Sequence, residues 1–290
     1  MSKQIINKLC IIGVGLIGGS LARALKKANA VNEIVGSGRD VTHLEKAKTL
    51  GVIDHFETDI SAAVKDCDMV VVAVPLGAMQ AVFEKIASVI TNDMVITDVG
   101  SAKGSVVSAA QTAFNGLPKS FVPGHPIAGT EKSGVEASFS ELYENRRVIV
   151  TPLDSSSDDA VAKVRSMWQA CGADVVETTI EHHDEVLAAT SHLPHMLAFS
   201  LVDTLAKMDA KHEIFDFAAG GFRDFTRIAS SNPDMWRDIC LANGGALVEM
   251  IKKFSDDLQL LSKAIEDNDS AYLKETFSRA KKARDEFCDG

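Results

Sequence analysis

Residues 8–25 read KLCIIGVGLIGGSLARAL and combine an apolar run, several glycines and a helical pattern. The apolar run KLCIIG predicts a buried strand, and GGSLARALKKA predicts a helix directly after it. Glycines between them suit a tight turn, the approach of a pyrophosphate to the backbone, and close packing of helix on strand. The residues predicted to hold a dinucleotide here are Gly13, Gly15, Leu16, Ile17 and Gly18. A tight strand–helix turn without a ligand is the alternative.

Strand and helix patterns alternate through the first half of the chain. The apolar runs EIVGSG, DMVVVAVP, DMVITDVG, RRVIVTP and ADVVET predict further strands, with helical segments between them. This alternation is typical of an α/β fold, namely a Rossmann-type doubly wound sheet that is mostly parallel. Helical patterns dominate from about residue 180, and one of them starts with Asn232 as N-cap and Pro233 in the first turn. We therefore predict a dinucleotide-binding domain over 1–178 and an all-helical domain over 179–290.

The composition indicates a globular protein with an acidic balance. Lys and Arg number 30 against 40 Asp and Glu, a formal charge of −10, and no basic block stands out. Because nucleic-acid surfaces need clustered positive charge, we predict no nucleic-acid partner. No apolar stretch has the length that a membrane span requires. The cysteines are odd in number and form no CxxC pair, which disfavours disulfides or zinc and fits the cytoplasm.

The second predicted strand ends in GSGRD, residues 36–40, where the type of dinucleotide is chosen. An NAD site usually has an acid at this strand end, which binds the ribose 2′-hydroxyl. Ser37, Gly38 and Arg39 stand there instead, and an arginine can pair with the 2′-phosphate of NADP. Asp40 follows one position later and could serve NAD. The sequence favours NADP over NAD, with contacts from Ser37 and Arg39, and from Pro75 at the end of the third predicted strand.

The stretch GHPIAGTEKSG, residues 124–134, contains a histidine of unexplained purpose. Its glycines, proline and serine predict a loop, and loops run over surfaces and often carry function. A solvated loop histidine is the plain interpretation of His125. A functional histidine is the alternative.

Two polar clusters stand out in the helical half. SHLPH, residues 191–195, puts His192 and His195 on one helix face, but no third ligand accompanies them, so we predict no metal site. GGFRDFTR, residues 220–227, offers Gly221, Asp224 and Arg227. An arginine there can bind a carboxylate through two parallel hydrogen bonds. A buried histidine pair and a surface ion-pair cluster are the plain alternatives.

Several of these stretches together resemble one family. GVGLIGGS, DVGSAKG, GHPIAGTEKSGVEAS, SHLPH and GGFRDFTRIASSNPDMWRDI are similar to the prephenate/arogenate dehydrogenases of tyrosine biosynthesis. The resemblance covers nearly the whole chain. No chorismate-mutase or regulatory extension is recognised, so we expect the stand-alone form, and a homodimer through the helical domain.

The resemblance implies a role for each cluster. The family oxidises the ring carbon of a cyclohexadiene by hydride transfer to the nicotinamide, and the ring loses carbon dioxide. His125 matches the base that takes the hydroxyl proton, and Ser101 matches the serine that helps to place it. Arg227 matches the residue that binds the ring carboxylate, and His195 the one that binds the substrate side chain. The predicted substrate contacts also include His192, Asp224 and Gly221.

Some questions stay open on the sequence alone. The substrate side chain can be the keto acid of prephenate or the amino acid of arogenate. A β-hydroxyacid dehydrogenase has the same two-domain plan, and a dinucleotide sensor without catalysis is a further alternative. Feedback inhibition by tyrosine is not indicated either way.

Overall fold

A computed structural model describes residues 4–130, 132–209 and 211–289. In this part of the chain the main sheet is six-stranded, parallel throughout, and ordered β3-β2-β1-β4-β5-β6. This is the strand order of a doubly wound dinucleotide-binding fold, as predicted. The strands are β1 (Ile6–Ile12), β2 (Val31–Ser37), β3 (His55–Glu57), β4 (Met69–Val72), β5 (Val95–Asp98) and β6 (Phe121–Val122).

The central strands are apolar because helices cover both faces of the sheet. Every residue of β4 and β5 is buried. Successive side chains of a strand point to opposite faces. Accordingly Ile11 belongs to a core cluster that contains Trp168, whereas Ile12 belongs to a second cluster that contains Phe83. Burial on both faces explains why these strands read as continuous apolar runs.

A smaller sheet corrects the prediction for the histidine stretch. It joins β7 (Gly124–Pro126), β8 (Arg147–Val150) and β9 (Asp174–Glu177), with β7 antiparallel to β8. His125 pairs with Ile149 and is only 9% exposed, so the loop prediction is wrong for residues 124–126. The apolar strand β8 supplies a hydrogen-bonding edge that local composition does not reveal. The interpretation as a solvated loop histidine is therefore overturned.

Helices make up the regular structure of the described chain after β9, as predicted. The α-helices are α1 (Leu16–Lys27), α2 (Val41–Thr49), α3 (Ile60–Ala63), α4 (Met79–Ile86), α5 (Lys103–Phe114), α6 (Asp158–Ala170), α7 (Ile180–Leu187), α8 (Leu193–Ala206), α9 (Lys211–Asp216), α10 (Gly220–Thr226), α11 (Pro233–Ala242), α12 (Gly244–Glu266) and α13 (Ser270–Asp289). One π-helical turn, Ala188–His192, joins α7 to α8. The predicted N-cap is confirmed, because the Asn232 side chain accepts a hydrogen bond from the Met235 amide at 3.0 Å.

The chain divides into two compact units, 1–244 and 245–290. The first contains both sheets and the helices through α11, and all the candidate site residues lie in it. The domain boundary near residue 178 remains a prediction. No helix within the described ranges is long and apolar enough to cross a membrane.

Candidate active site

The glycine loop after β1 has the shape that a dinucleotide requires. Gly13 has φ +99°, and a Cβ there would lie 2.4 Å from the Ala73 carbonyl oxygen. A Cβ on Gly18 would lie 2.2 Å from the Gly13 oxygen, so this glycine allows α1 to pack on the strand. No atom lies within 4 Å of a Cβ built on Gly15, the N-cap of α1. The loop therefore leaves open space where phosphate binds at a helix N-terminus.

The first turn of α1 is held firmly in place. Leu16 and Ile17 are half-buried, and the Tyr143 hydroxyl donates a 2.6 Å hydrogen bond to the Ile17 carbonyl. Pro75 follows β4 and precedes a 3₁₀ turn, Leu76–Ala78. These residues border the carboxyl ends of β1 and β4, where ligands of doubly wound sheets bind.

An exposed cation follows the end of β2. Ser37 is fully buried, and its carbonyl accepts a 2.8 Å hydrogen bond from the Gly13 amide. Arg39 is exposed. Asp40 serves as the N-cap of α2, because its carboxylate accepts a 3.2 Å hydrogen bond from the His43 amide. Binding of a ribose hydroxyl by Asp40, the alternative, would therefore compete with its role as the N-cap of α2.

The His43 side chain also contributes to this edge, and no sequence motif indicates this contact. Its Nε2–H donates to the Val14 carbonyl inside the glycine loop at 2.8 Å. A carbonyl only accepts, so Nε2 of this ring carries a proton. This hydrogen bond links the first turn of α2 to the glycine loop.

A buried ion pair joins the loop after β5 to the strand of His125. Lys103 and Asp98 are both fully buried and form a short salt bridge. The Lys103 ammonium also donates to the Gly124 carbonyl at 2.6 Å, and the Gly124 amide donates to Asp98 at 3.2 Å. Burial lowers the pKa of Lys103, while the charges of Asp98 and Asp184 oppose the shift. This pair sets the position of the backbone next to His125.

Two histidines and a carboxylate form a hydrogen-bonded chain. His125 Nδ1 lies 2.9 Å from His183 Nε2, and His183 Nδ1 lies 2.7 Å from Asp184 Oδ1. Both rings are buried. Nε2 of His125 has no hydrogen-bond partner among the described residues, so one ring nitrogen is held and the other is available. A histidine in this state can accept a proton from a bound ligand.

Asp184 also holds the start of α5. Its two carboxylate oxygens accept hydrogen bonds from the amides of Lys103 and Gly104, each at 2.8 Å. Burial raises the pKa of Asp184, but hydrogen bonds from His183, Gly104 and Lys103 outweigh it and hold the pKa below its usual range. The carboxylate is therefore ionised at neutral pH and acts only as an acceptor.

The surroundings of His125 favour its neutral form. Burial is the main cause that holds its pKa well below the usual range, and His183, Lys103 and His192 add to the shift. At neutral pH the ring is uncharged and keeps a lone pair. This is the protonation state that a general base requires.

The histidines of SHLPH lie in the same cluster. The Asn243 side-chain amide donates to His192 Nδ1 at 3.1 Å and to the Asp184 carbonyl at 2.8 Å. Burial lowers the pKa of His192 to about 4. His195 stacks on Trp236 with ring centroids 3.7 Å apart. The Nδ1–H of His195 donates to the Ser191 carbonyl at 2.9 Å.

The other predicted substrate residues lie at the surface of this unit. Gly221 and Asp224 belong to α10 and are exposed. Arg227, also exposed, begins a 3₁₀ turn, Arg227–Ser230, that packs against α8, the helix of His195. Ser101 is half-buried in the loop before α5. The hydrogen bond of the His125 ring goes to His183 rather than to Ser101, and the role of Ser101 stays a prediction.

Sequence reasoning missed three members of the site. They are Lys103, His183 and Asp184. The signal for the last two was the HHD run at 182–184, which follows a predicted strand. Lys103 lies inside DVGSAKG. Because lysines are almost never fully buried, the sequence alone predicts a solvent-exposed side chain there.

Comparison with known proteins gives matches along nearly the whole chain. Residues 21–177 match the family described as prephenate dehydrogenase, nucleotide-binding domain, and residues 179–279 match its dimerization domain. The cyclohexadienyl dehydrogenase of Zymomonas mobilis is 38% identical over 285 residues, which cover 97% of this chain and 96% of that protein. The prephenate dehydrogenase of Bacillus subtilis is 37% identical over 286 residues, covering 97% of this chain and 76% of the relative.

A solved structure matches along the same length. Prephenate dehydrogenase from A. aeolicus, in complex with hydroxyphenyl propionate and NAD+, superposes with a TM-score of 0.90 at 37% identity. The match covers 99% of both chains. With both family domains and relatives of this identity over nearly its full length, the chain belongs to the prephenate dehydrogenase family.

Proposed function

We propose that this protein catalyses the NAD(P)-dependent oxidative decarboxylation of prephenate to 4-hydroxyphenylpyruvate, and that it also converts arogenate to tyrosine. Family membership supports the reaction class. The observation that carries the proposal is His125, a buried neutral histidine with Nδ1 held by His183 and Nε2 available. The reaction needs such a base for the hydroxyl proton of the ring.

The residues of this chain account for the cofactor and the proton. The glycine loop would hold the pyrophosphate of the cofactor, because Gly15 leaves open space at the N-terminus of α1. When bound, the nicotinamide supplies the acceptor of the hydride. His125 takes the hydroxyl proton, and Ser101 contributes to the placement of the reacting groups. Aromatisation of the ring then drives the loss of carbon dioxide.

Substrate binding is assigned to the helical residues. We infer that Arg227 binds the ring carboxylate, with Asp224 and Gly221 beside it. Because an ion pair stabilises the group that must leave, Arg227 contributes to binding and orientation rather than to decarboxylation. His195 and His192 bind the substrate side chain. Since Asn243 donates to Nδ1 of His192, the proton of that ring lies on Nε2, which is buried and without a partner in the described chain. A polar ligand group would satisfy it.

One assay tests the function. The protein is mixed with prephenate, arogenate or a 3-hydroxy acid, each with NAD or NADP, and reduced nicotinamide is followed by absorbance. We expect turnover with prephenate. Turnover only with the 3-hydroxy acid would instead indicate a β-hydroxyacid dehydrogenase. Cofactor binding without any turnover would favour a dinucleotide sensor.

The preference for NADP over NAD is also a proposal. Arg39 is exposed two residues after the end of β2, and the carboxylate of the next residue, Asp40, caps α2. A 2′-phosphate would meet the guanidinium of Arg39 and the positive end of the α2 dipole. The NAD+ in the A. aeolicus complex is a property of that protein.

Replacing Arg39 by alanine is expected to weaken NADP several-fold and leave NAD nearly unchanged, because the substitution removes a charge-assisted contact to the 2′-phosphate. The dissociation constants of both cofactors, measured by calorimetry, and kcat/KM give the result. Arg146→Ala, at another exposed arginine, is the control. A strong NAD preference in the parent, lost in Asp40→Ala, would reverse the assignment.

We further propose a homodimer formed by residues 179–290, with residues 1–178 as the nucleotide-binding domain. The dimerization-domain match over 179–279 supports this. In the unit 245–290, large apolar side chains are exposed, among them Phe277 at 60% and Phe287 at 81%. A cytoplasmic location is proposed as well, because the cysteines are free.

A further inference from the structure

The hydrogen-bonded chain behind His125 has a direction. The Asp184 carboxylate accepts hydrogen bonds from the Lys103 and Gly104 amides and from His183. A carboxylate has no proton to donate, so Nδ1 of His183 must carry the proton. When the His183 ring carries only this one proton, its Nε2 is an acceptor, and the 2.9 Å contact then requires a proton on Nδ1 of His125. A neutral imidazole has one such proton, which leaves Nε2 of His125 with a lone pair.

We propose that His183 and Asp184 are positioning residues that fix His125 in the tautomer with the proton on Nδ1, so that Nε2 is the atom that takes the substrate proton. The inference rests on the proposed function only in what it says about the substrate. It concerns residues that the motifs did not single out. One contact joins β7 to α7 and the other joins two neighbouring residues of α7, so the chain lies on regular elements rather than on a surface loop.

The reaction balances through this one atom. The substrate O–H bond breaks as the new N–H bond forms at Nε2, and the O–H electron pair forms the carbonyl. The ring C–H pair leaves as hydride, for which the oxidised nicotinamide would be the acceptor. The bond from the ring to its carboxylate then breaks, and its electrons make the ring aromatic and the oxygen a phenolate. Nε2 returns the same proton to that oxygen.

The chain also stabilises the charged intermediate state of the base. Once protonated, His125 donates from Nδ1 to His183, which in turn donates to the ionised Asp184. The positive charge on the ring is thereby linked to a negative charge through two hydrogen bonds. Without this link the buried imidazolium would face Lys103, a second cation near it, and protonation would be harder.

Two variants at residue 183 separate positioning from packing. In His183→Gln the side-chain oxygen can accept from Nδ1 of His125, so the tautomer is preserved and kcat should fall by less than about 10-fold. In His183→Leu no acceptor remains, and kcat should fall by about 100-fold or more, the scale of a lost base. KM and cofactor affinity should change little in both. Equal kcat in the Leu variant and the parent would overturn the proposal.

The tautomer itself can be measured without turnover. In the full-length protein labelled with 15N-histidine, the ring signals of His125 are assigned by their loss in a His125→Asn variant. We expect a protonated Nδ1 and an unprotonated Nε2. A proton on Nε2 of neutral His125 would overturn the inference even if the enzyme is active. The expected tautomer together with no turnover of prephenate or arogenate would instead count against the proposed function alone. This measurement on the parent remains decisive if His183→Leu fails to fold.

Discussion

Replacing His125 by asparagine is expected to lower kcat by about 100-fold or more, the usual scale for the loss of a general base. The variant should still fold and bind cofactor. The Asn amide can take the place of Nδ1–H and donate to His183, whereas nothing takes the place of Nε2. His182→Asn, at the exposed neighbouring histidine of α7, is the matched control. Near-normal turnover in the His125 variant would remove this residue from the chemistry.

The pH dependence gives a second measurement on the same variant. Burial, with help from His183, Lys103 and His192, holds the pKa of His125 well below 6.5. The base is active when neutral, so the acid limb of the kcat profile should lie below the usual histidine range, and His125→Asn should lose it. The stability of the protein should also fall in acid. Below about pH 6.5, His125 binds a proton in the unfolded chain but not in the folded chain, so the free energy of unfolding falls as pH falls. The variant should be less sensitive to acid.

Replacing Lys103 by methionine is expected to destabilise the protein by about 3–5 kcal/mol, because it leaves the buried Asp98 charge without its partner. Both side chains are 0% exposed, and the ammonium also binds the Gly124 carbonyl. Chemical denaturation measures the loss. Lys48→Met, at an exposed position of α2, is the control and should change stability by less than about 0.5 kcal/mol.

A double variant tests the cause of that loss. Asp98→Asn removes the orphaned charge, so the double variant with Lys103→Met should be more stable than the sum of the two single changes predicts. Simple additivity would mean that the pair does not interact as its geometry indicates. Loss of activity in any of these variants would also follow, since the pair positions the backbone beside His125.

Local patterns predicted the first half of the fold well, because buried parallel strands are apolar along their whole length. They missed β3, β6 and β7, which are two or three residues long and too short for a periodic signal. The loop interpretation of residues 124–126 failed for a different reason. Glycine and proline there are compatible with a short strand once β8 offers a partner, and that partner is more than twenty residues away.

The site divides in the same way. The glycine loop was predictable because the need for glycine at these positions is local: a Cβ would clash with nearby backbone or fill the space left for a ligand. His125 came from the family resemblance, and its geometry from the fold. The contact with His183 spans 58 residues, and only the packing of α7 near β7 creates it. Sequence motifs can indicate reactive side chains. Which ring nitrogen of a histidine carries the proton depends on neighbouring residues that come from distant segments of the chain.

Asp184 is a position at which few substitutions preserve all of the native contacts. Its carboxylate binds His183 and the first amides of α5, and its carbonyl accepts from Asn243. Asparagine would keep the size, and with its oxygen at the Oδ1 position it would still accept from His183 and the Lys103 amide. Its NH2 group would then face the Gly104 amide, which is also a donor. Glutamate would keep the charge but displace either the helix or the ring. Each close substitute therefore disturbs at least one of these contacts, so a lineage or a design that alters residue 184 must also adjust the support of His183 or the start of α5.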